Sequence, residues 1–375
     1  METVDVCIIG GGMGGASVAY HLAPHASVLL LEREAHVAYH STGRSAALYA
    51  PQYGSVLIRR LTRATGPFLR SPPAGFVEAP ILSDRGFLTI GRTRQEAELE
   101  QTLAVAAATG YELERLSRND ARRLVPSLRE DAVDWGLLDP TAMDIDVELL
   151  LQGFLKGARA NGLSVLTSQV VVTIERDGAH WRVRSADADV RCNVVVNAAG
   201  PWADDIAKIA GVTPLGLLPH RRTAFIFDAP TGISTARWPM VADVTELFYF
   251  KPESGRLLGS LAEEVPSPPC DAQPDDYDVA VAVDRIEGVL DFGVKRVSRS
   301  WTGLRTFGPD RDPVSGFDAA APGFYWHAGL GGYGIQTSAA LGEFAAGAIL
   351  RLATPTHLSE RGIRREHLSP ARLCG

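Results

Sequence analysis

Three glycines near the start of the chain have the spacing of a dinucleotide-binding turn. Gly10, Gly12 and Gly15 fit G-x-G-x-x-G, between an apolar run that ends at Ile9 and a helical pattern. Such glycines make a tight turn, let a pyrophosphate approach the backbone and let helix and strand pack closely. Glu32 ends the next apolar run, where its carboxylate can accept hydrogen bonds from both ribose hydroxyls. The pattern predicts an ADP-containing dinucleotide, and the strand, helix and acid disfavour the alternative of a turn with no ligand.

Two arginines in apolar strand contexts could bind a carboxylate. Arg222 precedes the residues TAFIF, and Arg305 follows WTGL. A guanidinium can form two parallel hydrogen bonds with a carboxylate, so such a pair is a suitable anchor for an organic acid. From the residues alone, pairing of each arginine with one of the 44 Asp and Glu residues explains them equally well.

Patterns for other kinds of catalysis are missing from the sequence. The nine histidines form no H-E-x-x-H metal motif, and GRSAA at 43–47 lacks the final glycine of a nucleophile elbow. The four cysteines (Cys7, Cys192, Cys270 and Cys374) lie far apart, so we expect neither a disulfide framework nor a zinc site. We therefore expect no metal and a reducing compartment.

The composition is that of an ordinary globular protein. With 375 residues the chain has the length of about two domains. Its net charge of −7 and the lack of a Lys or Arg block argue against nucleic acid or an anionic membrane as a partner. The first strand pattern begins within four residues of Met1, which leaves no room for a signal peptide, and no apolar run is long enough for a membrane span. These features predict a soluble, cytoplasmic protein.

The spacing of apolar residues predicts the order of helices and strands. Residues 36–75 have the composition of a loop with a short helix, and the helix that ends near 161 is capped by Asp144 or Asp146. Further helices are predicted at 92–109, 117–125, 146–161, from about 203, and after the glycine loop in 323–352. Strands are predicted at 164–175, 179–185 and 189–197, with a hairpin turn at 177–178, and in the strand-rich region 215–300.

This order of elements predicts an α/β architecture with two domains. A discontinuous, Rossmann-like dinucleotide-binding domain is assembled from 1–80, 144–218 and 300–375. A substrate domain of the α+β type, with an antiparallel sheet, is inserted as 81–143 and 219–299. Ligands of such sheets bind at the carboxyl ends of the strands, so the loops 10–15, 197–202 and 329–334 should converge.

Three later motifs resemble the D-amino-acid oxidase-like superfamily of FAD enzymes. They are HSTGRSAA at 40–47, VVNAAG at 195–200 and GGYGIQ at 331–336. Within that superfamily the chain is most similar to the bacterial FAD-dependent D-arginine and D-amino acid dehydrogenases. That similarity covers nearly the whole chain, and it includes the segments 215–227, 248–252, 301–305 and 368–372.

The resemblance implies FAD as a non-covalent cofactor. The glycine loop at 331–336 would point backbone N–H groups and a helix dipole at the pyrimidine end of the flavin. His40 is conceivable as a covalent anchor, but the closer relatives hold FAD without a covalent bond. Together with the first motif, the implied FAD-binding residues are Gly10, Gly12, Gly14, Gly15, Glu32, Arg33, Ser41, Thr42, Gly43, Arg44, Ser45, Ala46, Ala47, Val171, Ala199, Gly200, Gly331, Gly332, Tyr333, Gly334, Ile335 and Gln336.

The resemblance also implies a substrate site for an amino acid. Arg222, Arg305 and Tyr249 would bind its carboxylate. The carbonyl of Gly332 would accept a hydrogen bond from its amine, and Tyr53 would line the side-chain pocket.

Three positions depart from the D-arginine dehydrogenase pattern. Phe87 stands where the relatives have an acid that faces a cationic side chain, Leu48 stands where they have a histidine near the amine, and Ala50 replaces a hydroxyl residue. A guanidinium buried against Phe87 would lack its counter-charge, at a cost of several kcal/mol. We therefore predict a preference for neutral, hydrophobic D-amino acids over D-Arg and D-Lys.

The expected function is FAD-dependent oxidative deamination. A hydride would pass from Cα of the D-amino acid to flavin N5, and the imino acid would hydrolyse to a 2-oxo acid and ammonia. The electron acceptor (a quinone, a dye or O₂) is not identified by any motif. Two alternatives stay open: FAD-dependent oxidation of a secondary amine, a glycine derivative or a 2-hydroxy acid, and a non-catalytic flavin-binding or redox-partner protein, which Leu48 makes plausible.

Overall fold

Two large sheets and one small sheet organise the chain in a computed structural model that describes residues 1–230 and 232–373. The strands are β1 (Glu2–Ile9), β2 (Val28–Leu31), β3 (Leu48–Tyr49), β4 (Leu82–Asp84), β5 (Phe87–Gly91), β6 (Glu114–Ser117), β7 (Trp135–Asp139), β8 (Met143–Ile145), β9 (Ser164–Leu166), β10 (Thr173–Asp177), β11 (His180–Arg184), β12 (Asp189–Asn197), β13 (Leu218–Phe227), β14 (Met240–Asp243), β15 (Tyr249–Glu253), β16 (Arg256–Ser260), β17 (Val265–Pro266), β18 (Val297–Phe307), β19 (Val314–Phe317) and β20 (Phe324–Ala328). The helices are α1 (Met13–Leu22), α2 (Val56–Arg70), α3 (Glu96–Ala108), α4 (Arg118–Leu124), α5 (Val147–Ala160), α6 (Ala203–Ile209), α7 (Asp276–Glu287), α8 (Ser338–Ile349), α9 (Thr356–Ser359) and α10 (Arg365–Leu368).

The first large sheet contains the glycine turn. Its central strand β1 pairs in parallel with β2 and with β12, while β9 and β20 extend the parallel part. Alternate residues of β1 belong to two hydrophobic cores, one on each face of the sheet. Val6 and Ile8 pack with α1 and α5, while Cys7 and Ile9 belong to the core on the opposite face. Burial on both faces explains why the strands are continuous apolar runs rather than alternating ones.

The second large sheet has the order β17-β13-β16-β15-β14-β5-β7-β6, and β18 also pairs with β13. Its pairs are antiparallel, as predicted, except that β5 and β14 run parallel, so the prediction of a wholly antiparallel sheet was wrong at this point. One face carries a core that includes Leu88, Phe225, Phe227 and Phe250. The other face is free to line a site.

Several predicted elements are confirmed. The patterns at 117–125 and 146–161 form α4 and α5, and the pattern at 92–109 forms a short 3₁₀ turn followed by α3. Asp146 rather than Asp144 caps α5, since its Oδ1 accepts a hydrogen bond from the Leu149 N–H at 2.8 Å. The α/β fold class is confirmed.

Two predicted elements were wrong in extent. The strand at 164–175 is split into β9, which extends the parallel part beside β2, and β10, which begins a hairpin. The backbone between them turns at Ser168, whose φ is +57°, and the apolar residues on both sides conceal this turn in the sequence. The region 36–75 contains α2, a helix of 15 residues, although Pro67 within its last turn is typical of a helix boundary.

The division into two domains stays a prediction, and β18 carries the second sheet across its boundary at 300. Cys7, Cys192 and Cys270 are free thiols, and Cys374 lies outside the described residues. In the part of the chain that the structure describes, every helix is too short or too polar to cross a bilayer.

Candidate active site

A cavity of about 290 Å³ lies at the carboxyl ends of the parallel strands in the first sheet. It is lined by residues of the glycine turn after β1, by Glu32 after β2, by 198–202 after β12, and by 327–332 and 334–335 at and after the end of β20. The structure thus brings together the loops 10–15, 197–202 and 329–334, where ligands of such sheets bind.

The glycine turn packs its backbone so closely that two of its positions have no space for a side chain. Gly10 has a φ of +110°, and a Cβ there would lie 2.3 Å from the carbonyl oxygen of Ala198. A Cβ at Gly15 would lie 2.0 Å from the carbonyl oxygen of Gly10. The first N–H groups of α1 lack acceptors within the helix, although the Met13 N–H is bonded to Thr42 Oγ1 at 3.1 Å. This turn fits a diphosphate at the positive end of α1.

Glu32 is held in place by two backbone N–H groups. Its Oε2 accepts from Gly11 at 2.7 Å and its Oε1 accepts from Glu34 at 2.9 Å, and the side chain is buried. Each carboxylate oxygen keeps a further lone pair, and the residue lines the first cavity. The position therefore fits a ribose, which would donate its hydroxyl hydrogens to these oxygens.

Trp202 forms a wall of the first cavity that was not predicted from the sequence. The Arg33 guanidinium lies 4.5 Å from the Trp202 ring centroid, and the His40 ring lies at the same distance. Glu34 joins these groups, because it accepts from His40 Nε2 at 2.9 Å and pairs with Arg33. An aromatic residue directly after a strand and a glycine was the available signal.

Val171 lines the first cavity, and its predicted contact with adenine stays a prediction. Its neighbour Val170 is 50% exposed, and Ile209 across the cavity is also exposed. Two apolar side chains that line the cavity and are open to water are suited to covering the face of a base.

The predicted residues at 41–47 divide between two tasks. Ser41 Oγ donates to the carbonyl oxygen of Leu304 at 2.6 Å. Arg44 donates to the carbonyl oxygens of Ala272 and Thr302 and pairs with Asp271. These bonds occupy its guanidinium, and the Arg44 carbonyl oxygen accepts from Trp301 Nε1 at 2.9 Å, so Arg44 fastens the loop to the second sheet.

Most of the predicted FAD-binding residues line the first cavity, and five do not. Gly15 and Gly43 pack against backbone carbonyls, Gly43 with Ala38. Ala47, Tyr333 and Gln336 line a second cavity instead. The helix after the glycine loop begins at Ser338, with turns over 331–337.

The second cavity, of about 620 Å³, lies between the free face of the second sheet and the segments 45–55 and 332–336. All seven residues predicted for the substrate site line it: Arg222, Arg305, Tyr249, Tyr53, Gly332, Leu48 and Phe87. Their individual roles stay predictions.

Strand register explains how distant residues meet on this face. Arg222 on β13 lies opposite Gly303 on β18, so Arg305, two residues further, is its diagonal neighbour on the same face. Tyr249 and Phe87 reach the same face through the pairs that connect β13, β16, β15, β14 and β5. One continuous row of cross-strand neighbours therefore forms the floor of the cavity.

Among the described residues, the two cavities share a set of lining residues. They are Ser45, Ala46, Arg222, Tyr249, Arg305, Gly332 and Ile335. A group bound in the first cavity therefore meets a group bound in the second beside two guanidinium groups.

The two arginines leave positive charge without a full partner. Arg222 is 6% exposed, and its Nη2 lies 3.2 Å from Glu264 Oε1, while its Nε has no partner among the described residues. Burial and the neighbouring charge of Arg305 lower the pKa of Arg222. The side chain of Arg305 forms neither a hydrogen bond nor an ion pair with residues 1–230 or 232–373. Such a pair favours an anion that can accept several hydrogen bonds.

Tyrosines around this charge act as neutral donors. Burial raises the pKa of Tyr53 and of Tyr333, so both phenols stay protonated. Tyr53 Oη lies 3.4 Å from Glu246 Oε2. Within the described chain, the buried Tyr249 hydroxyl has no partner and the Gly332 carbonyl accepts no hydrogen bond. A donor and an acceptor are thus left for a ligand.

Two acids of this region were not predicted. Glu264 bridges Arg222 and Arg311, with its Oε2 2.6 Å from Arg311 Nη2. Asp139 lies opposite Phe87 on the cavity face, and its Oδ1 accepts two hydrogen bonds from Thr141. Their places depend on strand register, for which the sequence has no local signal.

Comparisons with known proteins agree with a dinucleotide site in the first cavity. A family model described as FAD dependent oxidoreductase (DAO) matches residues 5–348. FAD-dependent oxidoreductase domain-containing protein 1 of Bos taurus is 25% identical over 93% of this chain and 82% of its own length. Mitochondrial dimethylglycine dehydrogenase of Rattus norvegicus is 25% identical over 96% of this chain, which spans 44% of that protein.

Among solved structures, the chain is similar to the glycine oxidase of Geobacillus kaustophilus. The TM-score is 0.84 at 21% identity, with 97% of this chain and 99% of that chain covered. A similarity at this identity shows a shared fold.

The replacement Glu32→Gln should weaken FAD binding about 10- to 100-fold. An amide has one acceptor oxygen, so it cannot serve both the Gly11 and Glu34 N–H groups and also the ribose. Titration of the apoprotein with FAD, followed by quenching of flavin fluorescence, measures the dissociation constant. Glu78→Gln is the matched control, because Glu78 is exposed and remote from the cavity. Equal dissociation constants for Glu32→Gln and wild type would contradict the ribose assignment.

Proposed function

The chain belongs to the FAD-dependent oxidoreductase (DAO) family, and from this premise we propose that it oxidatively deaminates D-amino acids with neutral, hydrophobic side chains. The observation that carries the proposal is the pair of guanidinium groups, Arg222 and Arg305, at the junction of the two cavities. A carboxylate is the group in an amino acid that matches them.

The remaining groups at the junction support the same orientation. The Tyr249 hydroxyl would donate to the carboxylate, and the Gly332 carbonyl would accept from the amine. A Cβ at Gly332 would lie 2.9 Å from Arg305 Cζ, so carboxylate and amine anchors are close together. With both ends held, Cα is directed toward the first cavity and the side chain toward Phe87.

FAD, when bound, supplies the acceptor of two electrons. The substrate loses the hydrogen of Cα with its electron pair and one proton from nitrogen, which leaves a C=N double bond. Addition of water to that bond and loss of ammonia give the 2-oxo acid. This chain contributes orientation and charge: two guanidinium groups hold the carboxylate, and the buried phenols stay neutral donors.

The side-chain pocket is mainly apolar around Phe87. Met240, Ala242 and Tyr249 pack with it, and Leu48 and Ala50 line the same cavity. These surfaces support a neutral, hydrophobic side chain.

Two observations favour other substrates. The names of the glycine oxidase and dimethylglycine dehydrogenase relatives point to a glycine derivative or a secondary amine as the second candidate. Asp139 Oδ2 is buried without a partner in the described part of the chain, and it would meet a cationic side chain that reached past Phe87. Both possibilities enter the test below.

Anaerobic mixing of the FAD-loaded protein with a substrate panel tests the proposal. We expect D-Leu, D-Met and D-Phe to bleach the visible flavin band, and isoamylamine, which is D-Leu without its carboxylate, to fail. Bleaching confined to N-methylglycine or 2-hydroxy acids would replace the proposal with the second class of substrate. No bleaching by any compound would indicate a binding or redox-partner protein, and faster bleaching by D-Arg than by D-Leu would contradict the role given to Phe87.

The change Arg305→Met should lower kcat/KM for D-Leu at least about 100-fold, because it removes charged hydrogen bonds to the carboxylate. Stopped-flow reduction of the bound flavin measures the effect. Arg299→Met is the control, since Arg299 lies on the same strand but is exposed and outside both cavities. A loss smaller than about threefold would refute the carboxylate anchor.

The change Phe87→Glu should raise kcat/KM for D-Arg about tenfold or more and lower it for D-Leu, since it adds a carboxylate on the pocket face in front of Asp139. Phe87→Gln has a side chain of similar size without charge, and it should not improve D-Arg. Steady-state kinetics with both substrates measure the switch. Equal gains from the Glu and Gln variants would mean that space, not charge, limits D-Arg.

A further inference from the structure

A buried histidine near the glycine turn has one ring nitrogen without a partner. His327 lies on β20, is 1% exposed and lines the first cavity. Its Nδ1 lies 3.1 Å from Ser315 Oγ, which lies 3.0 Å from the Tyr325 hydroxyl. Its Nε2 is buried and has no partner among the described residues. A buried polar atom without a partner is costly, so a ligand atom or water is expected there.

The register of two strands creates this polar chain. Ser315 on β19 lies directly opposite His327, and Tyr325 precedes His327 by two residues on the same face. Apolar residues of α1, α5 and α8 also pack on this side of the sheet. The three polar groups therefore form a hydrogen-bonded chain beside an apolar cluster.

The free edge of His327 faces the first turn of α1. A Cβ at Gly14 would lie 3.1 Å from His327 Cδ2 and 3.4 Å from Nε2. Leu330 occupies the other side of Gly14, and all three residues line the first cavity. Glycine at position 14 therefore leaves the imidazole edge next to the helix end that fits a diphosphate.

Hydrogen-bond accounting assigns the proton of the ring. Burial lowers the pKa of His327 to about 4, so the ring is neutral and carries one N–H. Burial raises the pKa of Tyr325, whose hydroxyl therefore donates, and its partner is Ser315 Oγ. The Ser315 hydroxyl then donates to Nδ1, which leaves the hydrogen on Nε2. If Nδ1 carried the hydrogen instead, it would donate to Ser315 Oγ and Ser315 would donate to Tyr325. The Tyr325 hydroxyl hydrogen would then have no acceptor in the described part of this chain.

We infer that His327 is a cofactor-binding residue whose Nε2–H donates a hydrogen bond to the diphosphate of FAD, with Ser315 and Tyr325 fixing its tautomer. The acceptor is the anionic group that the first turn of α1 attracts, and a charged acceptor strengthens the bond. His327 belongs to none of the glycine motifs, and this inference depends on FAD binding rather than on the proposed substrate.

Dissociation constants of the apoprotein for FAD, ADP and adenosine test the inference. His327→Leu should weaken FAD and ADP binding by the same factor, about 10- to 100-fold, and leave adenosine unchanged. His327→Gln can place an N–H near the position of Nε2, so it should stay within about threefold of wild type. Unchanged FAD binding in His327→Leu overturns the inference, and so does a loss for FAD without one for ADP.

A second variant distinguishes loss of the hydrogen bond from a packing defect caused by His327→Leu. Ser315→Ala keeps the imidazole but removes its tautomer partner, and it should weaken FAD and ADP binding by a factor between those of the Gln and Leu variants. Thermal unfolding of each apoprotein shows whether it folds. If His327→Leu does not fold, Ser315→Ala decides, and an unchanged dissociation constant for FAD overturns the inference. No measurement here uses turnover, so failure leaves the proposed substrate untouched.

Discussion

The antiparallel register of β13 and β18 holds two guanidinium groups of like charge on one buried face, and the proposed substrate site depends on this arrangement. Because Arg222 lies opposite Gly303, Arg305 becomes its diagonal neighbour. Their mutual repulsion contributes to the lowered pKa of Arg222, and Glu264 compensates the charge only in part. A carboxylate would offset the repulsion and desolvation of both groups at once. The fold is thus preorganised for an anion at the junction of two cavities.

The cofactor and substrate sites are parts of one framework. The loop that follows β2 reaches the second sheet, where Arg44 binds the carbonyl oxygens of Ala272 and Thr302 and Ser41 binds that of Leu304. Residues 45–46, next to these contacts, line both cavities. A displacement of this loop would therefore change the lining of the first cavity and the lining of the second cavity together. This coupling supports a close approach between a bound flavin and Cα of a substrate.

Local features were predictable from the sequence, and register was not. The glycine turn and Glu32 could be recognised because a strand, a turn and a helix follow one another within about thirty residues. The arginine pair could be proposed only through a family resemblance, since its members are separated by 83 positions and meet through strand pairing. The strand at 164–175 was extended too far because apolar residues lie on both sides of the turn at Ser168. His327 had no signal, because its partner Ser315 lies across a strand pair.

Because side chains alternate between the two faces of a strand, a residue that lines the pocket can change without loss of the fold. Phe87 faces the cavity, whereas its neighbour Leu88 belongs to the core on the opposite face. A replacement at position 87 alters the pocket and leaves that core intact, while Arg222 lies four strands away on β13. Arg222 and Arg305 are therefore separated from position 87 along one row of cross-strand neighbours, whereas Tyr249, the third proposed carboxylate ligand, packs with Phe87. If the two arginines bind the carboxylate as we propose, this separation lets the side-chain pocket change at position 87 while both guanidinium groups keep their places.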